Sequence, residues 1–279
     1  MRGKKGDAAI ITREPEFRDP PANGLAAMGR SVLLNCREVG RALIMIMNAF
    51  LQCRFMFSRR NRFDVFYQLY FTGVKSLGVM TVVATFTGMI LALQTGLELR
   101  RFGQEVQIGT AVAISITREM GPFMTALIVA ASVGSSIAAA LGTMVVSEEV
   151  AALEIMSISP IRFLVMPRLV ALIIMMPLLT VYTDILGILG GSVVGFTQLD
   201  VSVQAYFDNA MQYAANKDLY VGLFKAFLFG IIITMVACHQ GFNTKDGAVG
   251  VGRATRNTVV ISFLTILIVG YMVTRLFYT

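Results

Sequence analysis

The sequence predicts an all-α integral membrane protein. An N-terminal interfacial amphipathic helix is followed by five transmembrane helices, with a short cytoplasmic coupling helix between spans 2 and 3. Three observations carry this prediction. Hydrophobic types make up 56% of the 279 residues and charged types 15%, against about 25% charge in a soluble domain. Uncharged windows of membrane-spanning length recur along the chain. The formal charge of +7 lies wholly in residues 1–62, where twelve Lys or Arg face five acids, and the remainder balances to zero. The mean hydropathy of +0.69 excludes a disordered chain, which is poor in apolar residues. Three cysteines exclude a disulfide scaffold.

Residues 1–30 are polar, carry Pro15, Pro20 and Pro21, and are expected to form a poorly ordered cytoplasmic arm. A nucleic-acid-binding arm would use the same charge, but no folded binding motif accompanies it. Residues 31–62 form the second segment. Leu33, Leu34, Val39, Leu43, Ile44, Met47, Phe50, Leu51 and Met56 recur at helical spacing with Arg37, Arg41 and Arg54 between them. Such a helix lies in the interface plane rather than across the membrane. Residues 63–279 form the transmembrane domain. Uncharged windows run over Ser76–Leu97, Met120–Ser147, Ala226–Thr244 and Asn257–Thr274, and Leu169–Leu199 is broken only by Asp184. Each approximates the ~20 residues a helix needs to cross the hydrocarbon. The basic N-terminal segment is retained in the cytoplasm by the positive-inside rule, so five spans put the C-terminus on the far side.

Small residues recur every fourth position: Ala126, Ala130, Gly134, Ala138 and Gly142 in span 2, and Gly187, Gly191 and Gly195 in span 3. Such ridges let helices approach closely in lipid, either inside one subunit or along a seam between two.

Enzyme chemistry finds no support. There is one histidine, His239, with no metal-spaced Cys/His cluster, no G-x-S-x-G and no GxxxxGK[ST] phosphate loop. The chain is read as a transport subunit with no catalytic residues, no metal and no cofactor of its own. Asp184, in mid-span, is costly to bury and is a functional candidate by default. A hydrogen bond to Tyr182, Thr183 or a neighbouring helix is the alternative. Lys225 flanks a span and has two options: to snorkel, or to meet an anionic headgroup.

Between spans 2 and 3 lies Ser147-Glu148-Glu149-Val150-Ala151-Ala152-Leu153-Glu154-Ile155-Met156-Ser157-Ile158-Ser159-Pro160. Ser147 suits an N-cap, the two glutamates suit a helix N-terminus, and Pro160 marks an end. Val150, Leu153 and Met156 share one face. A short amphipathic helix with no core of its own is a surface made to insert into a partner.

At these residues the sequence resembles the MlaE-type permease family of ABC transporters. The matching runs are Arg118-Glu119-Met120-Gly121-Pro122, Gly142-Thr143-Met144 with Ser147-Glu148-Glu149, Ala152-Leu153-Glu154-Ile155-Met156, and Pro177-Leu178-Leu179-Thr180. Gly88-Met89-Ile90-Leu91-Ala92-Leu93-Gln94, Gly190-Gly191 and Gly252-Arg253-Ala254-Thr255 also match. The resemblance implies a homodimeric lipid permease of a bacterial inner membrane, which moves phospholipid to or from a periplasmic MCE-domain protein. ATP and Mg would sit on a separate ATPase subunit. It assigns Glu148, Glu149, Val150, Leu153 and Met156 to ATPase coupling, and Leu91, Gln94, Leu97, Ser132 and Ser136 to the lipid pocket. Ser132, Ala140 and Gly270 stand where the family commonly has Arg, Glu and Asp, which implies a more apolar pocket here. Two other classes compete: an ion-coupled secondary transporter with Asp184 carrying the ion, which predicts an internal repeat, and a non-transporting scaffold.

Overall fold

A computed structural model describes residues 24–52, 59–213 and 216–278. Among them every regular element is helical. Most of the arm expected over residues 1–30 lies outside the described residues. Helix α1, Gly24–Gln52, opens inside that segment, and α2, Arg59–Arg101, opens inside the segment expected to be interfacial.

Five helical runs are long and apolar enough to cross a membrane: Phe63–Arg101, Glu105–Val146, Ile161–Gln198, Asn216–Phe242 and Gly247–Tyr278. Spans 2 and 4 extend past their uncharged windows through Arg118 and Glu119 and through Asp218 and Lys225, which pair with one another and stay helical. Span 1 is α2. Span 2 comprises α3 (Ile108–Ser115), a π-turn (Ile116–Met120), α4 (Gly121–Val129), a second π-turn (Ala130–Gly134) and α5 (Ser135–Val146). The connector α6 is Glu149–Ile155. Span 3 is a π-turn (Ile161–Val165) and α7 (Met166–Gln198). Helix α8, Val203–Tyr213, precedes span 4, α9 (Asn216–Phe242), and span 5, α10 (Gly247–Tyr278).

Spans 3 and 4 are each 67% buried over their most apolar window, against 28% for span 1 and 17% for span 5. The first pair is therefore the centre, and the outer pair presents its apolar faces outward. The main core joins Val129, Val133 and Leu141 of span 2 to Leu169, Leu172 and Met176 of span 3 and Phe229 and Ile233 of span 4. Met45, Ile46 and Ala49 of α1 enter the same core, while Leu43, Met47, Phe50 and Leu51 point outward. Helix α1 thus has one face on the protein and another for the bilayer. Glu38 ties it to span 4, accepting from His239 Nε2 at 3.0 Å.

Both small-residue ridges pack inside the subunit. A Cβ on Gly88 of span 1 would fall 1.9 Å from the carbonyl oxygen of Gly187, and one on Gly190 would fall 2.4 Å from that of Thr85. Backbones this close exclude any side chain. The rest of the span 3 ridge receives Tyr206 of α8, which is fully buried against Gly191 and Gly195 and donates to Ile188 O at 3.3 Å. In span 2, Gly134 faces Ile233 and Thr258, and Gly142 faces Thr244 and Val251.

The connector corrects two expectations. Ser147 does not cap α6. It closes α5, and its hydroxyl lies 3.0 Å from both Thr143 O and Glu149 Oε1. The chain then turns through Glu148 in the left-handed region, at φ 60°. Pro160 does not end α6 either: it opens the next π-turn. The actual stop is Ser157, also left-handed at φ 60°. Ser157 N donates to Glu154 O and Ile158 N to Leu153 O, each at 2.9 Å. This pair of bonds is the Schellman closure of a helix C-terminus.

Candidate functional site

Span 2 changes pitch where Gly121 and Pro122 follow the Ile116–Met120 π-turn. In an unbroken α-helix residue 122 would donate to Arg118 O, but proline has no N–H. Lys225 of span 4 donates to that carbonyl, with Nζ 2.9 Å from Arg118 O. Its ammonium also donates to Glu119 Oε1 at 2.6 Å and to Thr274 Oγ1 of span 5 at 2.7 Å. All three protons of a 1% exposed lysine are therefore used. Thr274 Oγ1 in turn lies 2.5 Å from Glu119 Oε1.

A second pair sits beside the first. Arg118 holds Asp218 Oδ1 with Nη2 at 2.8 Å and Nε at 3.0 Å. Tyr278 OH donates to the same oxygen, and the Arg118 guanidinium lies 4.0 Å from the Tyr278 ring centroid. Spans 2, 4 and 5 are thus fastened at one end by two ion pairs with alternating partners. Sequence reading carried Arg118 and Glu119 only as part of a motif and did not single out Asp218, Thr274 or Tyr278. The available signal was two opposite-charge pairs at the edges of neighbouring apolar windows.

Next to the Glu119–Lys225 pair is a cavity of about 330 Å³. Phe123, Phe229, Ile266, Leu267 and Gly270 line its apolar side, and Glu119, Lys225 and Thr274 its polar end. Leu267 and Tyr271 also line a groove of about 730 Å³ along the outer face of span 5. Gly270, where an acid was expected from the resemblance, leaves room: a Cβ there would meet the Phe229 ring, with Cζ at 3.4 Å and Cε1 at 4.0 Å. One expectation changes here. Lys225 does not snorkel: it reaches inward, where Glu119 holds it at the polar end of the cavity. The wall around Gly270 is apolar, with that ion pair at one end.

The five pocket residues inferred from the resemblance are not brought together within one chain. Leu91 is half-buried against the cluster of Ile108, Val112 and Tyr206, and Gln94 and Leu97 are exposed on span 1. Ser132 and Ser136 donate to carbonyls of their own helix, Ile128 O at 2.6 Å and Ser132 O at 2.7 Å. Ser136 lines a separate groove of about 380 Å³ with Thr255 and Arg256 of span 5.

Of the coupling residues, Glu148 and Glu149 are exposed and Met156 is 60% exposed. Val150 is buried in the main core and Leu153 packs against it, so these two anchor α6 instead of offering it. The exposed apolar tip is Ile155, at 85%, with Met156 and Ile158. Sequence reading missed Ile155 because Val150, Leu153 and Met156 were taken as one face; helix termination at Ile155 separates Met156 from the other two. Glu154 is only partly buried, but its Oε1 has no partner among the described residues, and burial pushes its carboxyl up.

Asp184 is 4% exposed. Neither neighbour bonds it: Tyr182 OH pairs with Thr81 Oγ1 and Thr183 Oγ1 with Thr125 Oγ1, each at 2.7 Å.

Known proteins resemble this chain along most of its length. The family model described as Permease MlaE matches residues 65–276. A probable ABC transporter permease protein of Rickettsia prowazekii is 46% identical over 76% of this chain and 82% of its own. The intermembrane phospholipid transport system permease protein MlaE of Haemophilus influenzae is 32% identical over 92% of this chain and 98% of its own. The chloroplastic protein TRIGALACTOSYLDIACYLGLYCEROL 1 of Arabidopsis thaliana is 34% identical over 76% of this chain and 60% of its own. A five-span helical chain with a match of this extent belongs to the MlaE permease family: it is an ABC-transporter permease that crosses its membrane several times.

Proposed function

We propose that the chain works as a homodimer in a bacterial inner membrane and moves phospholipid between that membrane and a periplasmic MCE-domain carrier, driven by a separate ATPase. The observation that carries this reading is the cavity beside Glu119 and Lys225. Its polar end and aromatic-aliphatic wall, which shares Leu267 and Tyr271 with an apolar groove on span 5, match a molecule with a charged head and long tails. The H. influenzae relative, named for intermembrane phospholipid transport, supports the same substrate class. Exposing acyl chains to water costs about 0.8 kcal/mol per CH₂, so extraction needs an energy source. This chain has no phosphate loop, and ATP and Mg belong on the partner. The outward apolar face of span 5, with Leu264, Leu267, Ile268 and Met272, suits a second copy of the chain.

The ATPase is proposed to grip the tip of α6, with Glu148, Glu149, Ile155 and Met156 as its contacts. On this reading the N-terminus is cytoplasmic and the C-terminus periplasmic. Ile155→Asp should leave the permease folded but lose the co-purifying ATPase and lipid-stimulated ATP hydrolysis. Survival of both would refute the docking assignment. Mass spectrometry of lipid retained by the purified complex tests the substrate: no retained phospholipid, in wild type or in a hydrolysis-deficient complex, would count against the lipid reading.

A further inference from the structure

We propose that Asp184 is a proton-binding site at the contact between spans 2 and 3, holding its proton while they are packed and releasing it to water when they part at Gly121. The proposal begins with what surrounds the carboxyl. A Cβ on Gly121 would fall 1.7 Å from Asp184 Oδ1 and 2.9 Å from its Cγ, so the carboxyl fills the place of the side chain that Gly121 lacks. Oδ1 is buried without a hydrogen-bond partner among the described residues. The hydroxyls beside it are spent elsewhere: Thr183 on Thr125 and Tyr182 on Thr81.

The charged groups on the packed helices are committed too. Span 2 carries Arg118 and Glu119 in the turn before Gly121, and span 4 carries Asp218 and Lys225. These four pair with each other. Span 1 presents Thr81, which accepts from or donates to Tyr182, and Thr85, which donates to Thr81 O at 2.8 Å. Among the described residues no salt bridge or hydrogen bond reaches Asp184 from any of them.

An ionised carboxylate buried without a partner is a costly arrangement for an acid. Two ligands relieve it, a proton or a metal cation. A hard cation needs several oxygen ligands around it, and among the described residues no group of three or more acidic, His or Cys side chains converges. The proton needs only the carboxyl. Its release balances simply: the O–H bond breaks, water admitted at the parted contact takes the proton, and the carboxylate is then hydrated. Gly121 directly follows the π-turn that carries Arg118 and Glu119, so motion there would move the candidate cavity and expose this acid together.

The test is infrared difference spectroscopy of the purified full-length chain in lipid nanodiscs at neutral pH. Expected is the carbonyl band of a neutral carboxylic acid, shifted by ¹³C-labelled aspartate and lost in Asp184→Asn. If that variant does not fold, Asp184→Ser replaces it. A wild-type spectrum with no neutral-acid band that responds to labelled aspartate overturns the proposal, and so does a band that survives the substitution. The complete transporter trapped with vanadate tests release, and only this arm rests on the ATP-driven reading. The band should weaken there; an unchanged band overturns the release step.

Discussion

Removing either member of the Glu119–Lys225 pair should destabilise the permease, and removing both should cost much less than the sum. Glu119→Leu leaves the ammonium of a 1% exposed lysine with two neutral acceptors, Arg118 O and Thr274 Oγ1, and no counter-charge. Breaking a buried pair in this way costs about 3–5 kcal/mol. Lys225→Met leaves a carboxylate whose side chain is 39% exposed and can rehydrate from the cavity. Its main cost is the Arg118 carbonyl, which Pro122 cannot serve, at about 1–3 kcal/mol for an orphaned buried acceptor. The double variant strands only that carbonyl, so the coupling should approach the upper end of the ~0.5–3 kcal/mol range for residues in contact. Cys238 is buried and free, which provides the assay. In a background lacking Cys36 and Cys53, a thiol-reactive fluorogenic dye reports thermal unfolding as this thiol emerges. Additive losses, with coupling below about 0.5 kcal/mol, would refute the argument that the Lys225 charge is buried because Glu119 is there to meet it.

Gly88→Ala should abolish folded protein in detergent, because its Cβ would lie 1.9 Å from a backbone oxygen that cannot move aside. Gly252→Ala, a helical position with nothing within 4 Å, should stabilise by about 0.5–1 kcal/mol; size-exclusion profiles and dye melts separate the two. Glu154→Gln should raise the melting temperature of the isolated permease at neutral pH. Burial raises the folded-state value of this carboxyl above 4.5, so its contribution is present below that pH and is lost as pH rises through the folded value. The gain should therefore vanish in acid, and it should be small because only one oxygen is enclosed. A gain that grows as pH falls would contradict the sign.

Much of the fold was legible in composition alone. Spans 1 to 5 appear as apolar windows because each must satisfy its backbone internally and match the bilayer thickness. The ridge Gly187-Gly191-Gly195 announced close packing, although not that α8 would cover two of its three glycines with Tyr206. The site was less legible. Glu119, Lys225 and Thr274 lie more than a hundred positions apart in part, and no local period links a π-turn in span 2 to a lysine in span 4. The connector was read as one apolar face, whereas Val150 and Leu153 turn inward and Ile155 outward.

By itself the chain's chemistry determined that it enters a membrane and how many times it can cross. Those follow from hydropathy and spacing, which act over a few turns of helix. Only the tertiary structure decided which charges meet, which small residues touch, and that Asp184 Oδ1 faces Gly121 without a partner among the described residues. Pairing across helices depends on their relative height and rotation, and these are set by close packing among all five spans.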